Sequence, residues 1–344
     1  MNPLEFKKFH SRVAKESREK AKLNVCPICG EEQTSFCNSH SIPQFVLNNI
    51  SENGKLLQFS SVAADDFLIE NRVFDTEKGT KNSCTFRFIC RDCDSKVFAE
   101  YEDIYNLSRI PSNKMMAEIE LKNSLLMLSK RHYEQPFYEI VENTIKNFNR
   151  GALPEIQEDD IMDYTIEFSR ALRTVNNSQP AKYKLLYWKK FSYKMPIACQ
   201  SQISLRETIN GKKVNDVFNL SKDYHIEDLQ LCVFPLEKET VITLFYPEKY
   251  GKRYRIFRDE FLRLSEKQKL QYICYLIFAY TENFVISPKI NRETLKNENL
   301  KLLAQELNGI PNLGFVPAIF EDCDYRPISW KNVPNLLDKK YAIE

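Results

Sequence analysis

The residues most fit for chemistry in this chain are two Cys-x-x-Cys pairs, Cys26-Pro-Ile-Cys29 and Cys90-Arg-Asp-Cys93. Zn²⁺ takes four soft or borderline ligands in a tetrahedron, and thiolates suit it. Each Cys-x-x-Cys turn brings two sulfurs to one ion and aims backbone N–H groups at their charge. The expectation is one Zn²⁺ held by Cys26, Cys29, Cys90 and Cys93, although the wide gap between the pairs does not force them together. The alternative is four reduced cysteines packed in turns. The chain has ten cysteines, and in a reducing compartment such pairs point to metal rather than disulfides. Cys199, Cys232 and Cys274 lie in apolar surroundings and read as core, while Cys37, Cys84 and Cys323 are scattered.

Between the pairs lies Phe36-Cys-Asn-Ser-His-Ser-Ile-Pro-Gln-Phe45, with one of the chain's four histidines. Pro43 cannot donate to a β-ladder and restricts Ile42, so a strand over 34–38 must end near His40. An imidazole fixed there titrates near neutrality and can act as a general base; the alternative is a residue that anchors a loop or the zinc turn. Residues 84–90, with alternating Phe86 and Phe88, predict a second strand, and a helix follows from about Asp94. In the first helical turn, Asp94 is expected to point back toward His40. Arg87 and Arg91 flank the second pair and suit phosphate contacts or a solvated face. His10, His132 and His225 have no companions at ligand spacing and read as surface or packing residues. Glu120-Leu-Lys122, on a predicted helix with no acidic strand before it, reads as chance.

The order Cys-x-x-Cys, Ser-His-Ser-Ile-Pro-Gln-Phe (39–45), then Phe-Ile-Cys-Arg-Asp-Cys-Asp-Ser-Lys-Val-Phe (88–98) resembles the HNH (ββα-metal) endonucleases, closest to a bacterial branch with zinc knuckles. The resemblance covers about residues 26–103. It implies a small zinc-stapled ββα module, treble-clef or HNH-like, with His40 as the base that activates water. It implies a catalytic Mg²⁺ or other divalent cation with Asp94 as a ligand. Many HNH proteins carry Asp or Glu just before the histidine as a further cation ligand, where this chain has Ser39. The family's middle Asn is replaced near Thr85, with Asn82 the nearest substitute and Asn38 another candidate. The implied function is metal-dependent hydrolysis of nucleic-acid phosphodiester bonds, with DNA favoured, in an association with restriction or phage defence. The alternative is a catalytically inactive zinc module that binds nucleic acid or a protein partner.

The elements that must position these residues follow from composition and pattern. The 344 residues are 43% hydrophobic and 28% charged, which suits a globular chain of two or three domains. Lys and Arg number 49 against 47 Asp and Glu, a net charge of +2, so any nucleic-acid contact must be local. Neither a signal peptide nor a run of about 20 apolar residues is visible, so a cytoplasmic protein without a membrane span is expected. The fold class expected is α+β: a basic N-terminal helix (1–24), the zinc module (25–110), and a larger domain of helices and antiparallel strands (111–344) for recognition or a protein partner. In that domain the pattern predicts helices over 112–133, 158–175 and 292–307, the last ending at Asn308-Gly309. It also predicts a hairpin at Asn210-Gly211, a strand pair turning at Glu237–Glu239, and a helix capped by Ser265 and Gln268.

Overall fold

The computed structural model describes residues 3–63, 69–146, 151, 153–217, 219, 221–300, 303 and 328–344. Helix α1 (Pro3–Lys20) lays Phe9 and the buried Val13 against Ile140 and Val141; the side chain of Phe6 lies outside the described residues. After the first cysteine pair comes a two-residue strand, β1 (Ser39–His40), and then α2 (Gln44–Ile50), which starts directly after Pro43. Asn53 and Gly54 both take positive φ, and Glu52 and Lys55 exchange backbone hydrogen bonds across them. This is the tight turn that Asn-Gly favours. It leads into β2 (Lys55–Ala63), which pairs antiparallel with β3 (Ile69–Gly79). A 3₁₀ turn (Thr80–Asn82) precedes β4 (Thr85–Phe86), and α3 (Arg91–Val97) and α4 (Ile104–Leu107) complete this part.

The strand predicted over 84–90 is only two residues long, because Cys84 turns the chain at positive φ on one side and the second cysteine pair turns it on the other. Pairing continues irregularly, with Cys37 N–H donating to Ile89 O at 3.1 Å.

Two long helices follow, α5 (Asn113–Thr144) and α6 (Leu153–Val175), then β5 (Tyr183–Phe191), β6 (Ile197–Ile203), β7 (Leu229–Pro235) and β8 (Thr240–Pro247). Helices α7 (Gly251–Arg263) and α8 (Glu266–Tyr280), strand β9 (Phe284–Ile286) and the short α9 (Arg292–Leu295) close the series. The capping box of Ser265 and Gln268 forms as the sequence predicts. At Asn210-Gly211 the chain turns back on itself, with Gly211 N–H donating to Thr208 O, Thr208 N–H to Lys212 O and Val214 N–H to Arg206 O. The Glu207–Lys213 bridge does not extend into a strand pair, because β6 takes β7 as its partner. The expected helix end at 308–309 and Cys323 lie outside the described residues. No described helix is long and apolar enough to cross a membrane.

One antiparallel sheet runs β3-β2-β9-β6-β7-β8-β5. Every residue of β6, β7 and β8 is buried. Alternate side chains serve two cores. Leu231, Val233, Ile242 and Leu244 face α7 and α8, while Ala198, Cys232, Phe234 and Phe245 belong to a core shared with α2, α3 and α5. Strands from both sides of residue 110 therefore build the same sheet. The seam is held by polar contacts: Ser41 Oγ lies 2.8 Å from Asn283 Oδ1, and Asn49 Nδ2 donates to Pro235 O at 3.1 Å.

Helix α5 runs through this shared core. Its residues 115–126 are all buried, not only the apolar face of Met115, Ile119 and Leu126, and its polar side chains find internal partners. Asn123 Nδ2 donates to Gln230 Oε1 at 2.8 Å, and Tyr101 N–H donates to Glu118 Oε2 at 2.9 Å. Burial pushes the Glu118 carboxyl up to about 7, only partly opposed by the Tyr101 N–H and Lys114. The folded chain therefore holds this proton across a pH window in which the unfolded chain has released it. Stability must fall as pH rises from about 4.5 to 7. Glu118→Gln is expected to remove this slope, worth up to about 3 kcal/mol. Urea unfolding of both proteins at pH 5 and pH 8 checks it, and identical pH dependence would refute the assignment.

Candidate metal centre

The two cysteine pairs converge. One sulfur from each of Cys26, Cys29, Cys90 and Cys93 lies within 4.8 Å of the others. Cys29 Sγ and Cys90 Sγ are 3.9 Å apart, and a tetrahedron of Zn–S bonds of about 2.3 Å asks for about 3.8 Å. Gly30, at φ +75, closes the first turn, and its N–H donates to Cys26 O. Cys90 caps α3, its sulfur accepting from Cys93 N–H at 3.4 Å, and Cys90 N–H lies 3.5 Å from Cys26 Sγ. Burial raises the Cys26 thiol, but N–H groups of Cys29, Cys90 and Ile28 outweigh it and draw the thiol down to about 7. The backbone is thus built to receive thiolate charge. These four residues could hold a metal ion such as zinc. Cys37 is not a fifth ligand: burial and the Asp94 carboxylate push its thiol up to about 12, and it donates to Ile89 O.

Beside the cysteines, β1 and β4 pair with Ser39 opposite Phe86 and His40 opposite Thr85. Successive side chains on a strand face opposite ways. Ser39 and Phe86 are buried, whereas His40 and Thr85 are half-buried on the outer face. His40 Nε2 lies 3.0 Å from Thr80 O. A carbonyl only accepts, so Nε2 carries the proton and Nδ1 is the basic atom of the neutral ring. Asn38, on the same face, donates to Lys81 O at 3.1 Å. His40 and Asn38 together hold the 80–82 turn.

Asp94 does not turn toward His40. Its Oδ1 accepts from Ser39 Oγ at 2.6 Å and from Lys122 Nζ at 2.9 Å, on the inner face of the ladder. Burial opposes its charge, yet Lys122 and Ser39 more than compensate and hold the carboxyl below the ordinary carboxylate range. Asn82 is exposed in the 3₁₀ turn, and its carbonyl accepts from Thr85 Oγ1. Arg87 and Arg91 are both exposed but part company. Arg91 lines the cleft over the thiols with Glu31 and Asp92. Arg87 lines a groove of about 920 Å³ between α1, the β1–β4 ladder and α5, with Arg18, Lys22 and Lys130 as further cations, Glu19 as the acid, and Phe36, Phe88 and Tyr133 along its wall.

The other histidines pack or pair: His132 lies against Phe88, and His225 Nδ1 is 2.7 Å from Asp163 Oδ1. Cys199, Cys232 and Cys274 are fully buried. Glu120 and Lys122 diverge, Glu120 to Arg170 and Lys122 to Asp94, so they form no joint site. Sequence reasoning missed Lys122 as a partner of the cysteine-bearing segment. Comparison with family models, with curated proteins and with solved structures finds no match for this chain.

Proposed function

We propose that this chain binds nucleic acid through an HNH-like module stapled by Zn²⁺ on Cys26, Cys29, Cys90 and Cys93. The groove beside β4 carries the reading. Its four cations, Arg18, Lys22, Arg87 and Lys130, suit a phosphate backbone, with Lys22 and Lys130 paired to Glu19 and Glu282, and Phe36 and Tyr133 offer ring surface for bases. Strand β1 pairs with strand β4 ahead of helix α3, with α2, β2 and β3 inserted between the two strands, and the two cysteine pairs come together beside them. The expected result is salt-sensitive binding of DNA or RNA by the zinc-loaded chain. The double substitution Arg87→Ala, Lys130→Ala should weaken it about tenfold or more and flatten the salt slope by about 2. Fluorescence anisotropy across a salt series measures both, and binding that ignores salt and both substitutions would sink the proposal.

The placement of His40 favours a second reading, phosphodiester hydrolysis. Its Nδ1 is the open nitrogen of a ring whose orientation Thr80 fixes, on the face that Thr85 shares with the groove. There it would take a proton from an attacking water. A general base alone supplies about 10²–10⁴-fold, far below the overall acceleration that phosphate-ester hydrolysis demands, so the binding reading stands first. Plasmid and RNA cleavage with Mg²⁺, Mn²⁺ or Ni²⁺ tests the second. Cleavage that falls about 100-fold or more in His40→Ala would promote it; equal cleavage in both proteins would remove His40 from it.

A further inference from the structure

The HNH-like resemblance implies a divalent cation held by the residue before the histidine and by an acid on the helix after the second cysteine pair. The chain brings those two positions together, with Ser39 Oγ and Asp94 Oδ1 2.6 Å apart. Their shared guest is an ammonium. Lys122 Nζ lies 2.9 Å from Asp94 Oδ1, 3.2 Å from Ser39 Oγ and 3.0 Å from Glu102 Oε1. It also sits 3.7 Å from the centre of the Phe98 ring. The ammonium donates to Asp94 and Ser39 and pairs with the Glu102 carboxylate, while the ring face covers the remaining side.

We propose that the Lys122 ammonium takes the place of the divalent cation in this module. The inference rests on the HNH-like reading of β1, β4 and α3, but its geometry stands without nucleic-acid binding. The arrangement suits an ammonium and not a hard metal ion. Mg²⁺ asks for near-octahedral oxygen ligands at about 2.0–2.1 Å and keeps several of them as water. The Phe98 ring occupies the space those waters need. The Lys122 side chain is 1% exposed and rises from the middle of α5, so it cannot swing into solvent without opening the core. Ser39 fits the same logic. An acid there would put a third carboxylate on one ammonium, whereas a serine donates to Asp94 and accepts from Lys122 at once. The helix thereby locks α3 to β1 with a charge that needs no metal supply. It also withholds the Lewis acid that would relieve charge on a leaving oxygen.

The test is Mn²⁺ titration of the zinc-loaded full chain, followed by the electron paramagnetic resonance of free Mn²⁺. The wild type should show no Asp94-dependent Mn²⁺ binding up to about 1 mM, the range of weak oxygen-ligand sites. Lys122→Ala should gain one Mn²⁺ per chain, and Asp94→Asn in that background should abolish it. A wild-type Mn²⁺ site that Asp94→Asn removes would overturn the proposal. So would a folded, zinc-containing Lys122→Ala chain that gains none. Should Lys122→Ala fail to fold, the wild-type titration decides alone, and Lys122→Met, which keeps the stem, repeats the comparison. If nucleic-acid binding fails while wild-type Mn²⁺ binding is absent as expected, the proposed function falls and the lysine's role stands.

Discussion

Replacing Cys90 by serine should abolish the metal binding proposed for the four cysteines and melt the segment around them. The four sulfurs sit where a tetrahedral ion would hold them, and Cys26, Cys90 and Cys93 belong to the same core as Phe86, Ile89, Phe98 and α5. Binding of this kind is worth about 10–16 kcal/mol, comparable to or larger than the ~5–15 kcal/mol that holds a whole domain together. The regular structure beside the cysteines is slight: β1 and β4 share two residue pairs, and α3 is 7 residues long. Zinc content should therefore fall from about one ion per chain to near zero, and protease should cut within 25–110. Cys37→Ser is the control, expected to leave zinc in place because that thiol donates to Ile89 O. The sheet core around α7 and α8 should outlast the loss, since β2 joins β9 through only Leu57–Ile286 and Gln58–Val285. A metal-free Cys90→Ser chain with unchanged melting and proteolysis would defeat this account.

The cysteine cluster was legible because its chemistry is local twice over: each pair is a self-contained turn, and four soft ligands have few other uses. Helices α5 and α6 and the strand pair turning near Glu237–Glu239 were legible from periodicity and capping. The long-range partners were not. Ser39, Asp94 and Lys122 come from three separate elements, and a lysine within a run of helix formers reads as a solvated position. Only the packing of 115–126 on every side turns it inward. Two of the chain's three Asn-Gly pairs, at 53–54 and 210–211, show how far such a local signal reaches. The one at 53–54 makes the tight turn between Glu52 and Lys55 that leads into β2. The one at 210–211 also turns the chain, but its flanks form only the Glu207–Lys213 bridge, because β6 already has β7 as a partner. Strand alternation also decides where His40 faces. The strand does stop near His40, before Pro43, although residues 34–38 form none and only Ser39–His40 pair, and the side of the ladder on which Asp94 lies depends on α5, which sequence pattern places in a different domain.

The largest loss of stability outside the metal centre is expected from Arg170→Ala. The guanidinium of Arg170, on α6, reaches two groups from elsewhere in the chain and one on its own helix. Its Nη2 pairs with Glu120 of α5, its Nη1 donates to Tyr250 Oη at 2.8 Å, and it lies 3.6 Å from Glu167. Tyr183 of β5 donates its hydroxyl to Glu120 as well. Glu120 is fully buried, Glu167 is 3% exposed, and neither Glu167 oxygen has a hydrogen-bond partner among the described residues. Burial, with Asp228 and Glu120 nearby, pushes the Glu167 carboxyl well above its ordinary value. Removing the guanidinium leaves the buried Glu120 without the cation that pairs with it, and breaking a buried pair from one side typically costs about 3–5 kcal/mol. Glu167→Gln should behave oppositely. It deletes an acid that the fold already holds toward its protonated form, so stability near neutral pH should hold or rise. Urea unfolding of the two variants at pH 7 separates them. A small cost for Arg170→Ala would mean that water reaches Glu120 and that α5, α6 and β5 do not share a sealed core.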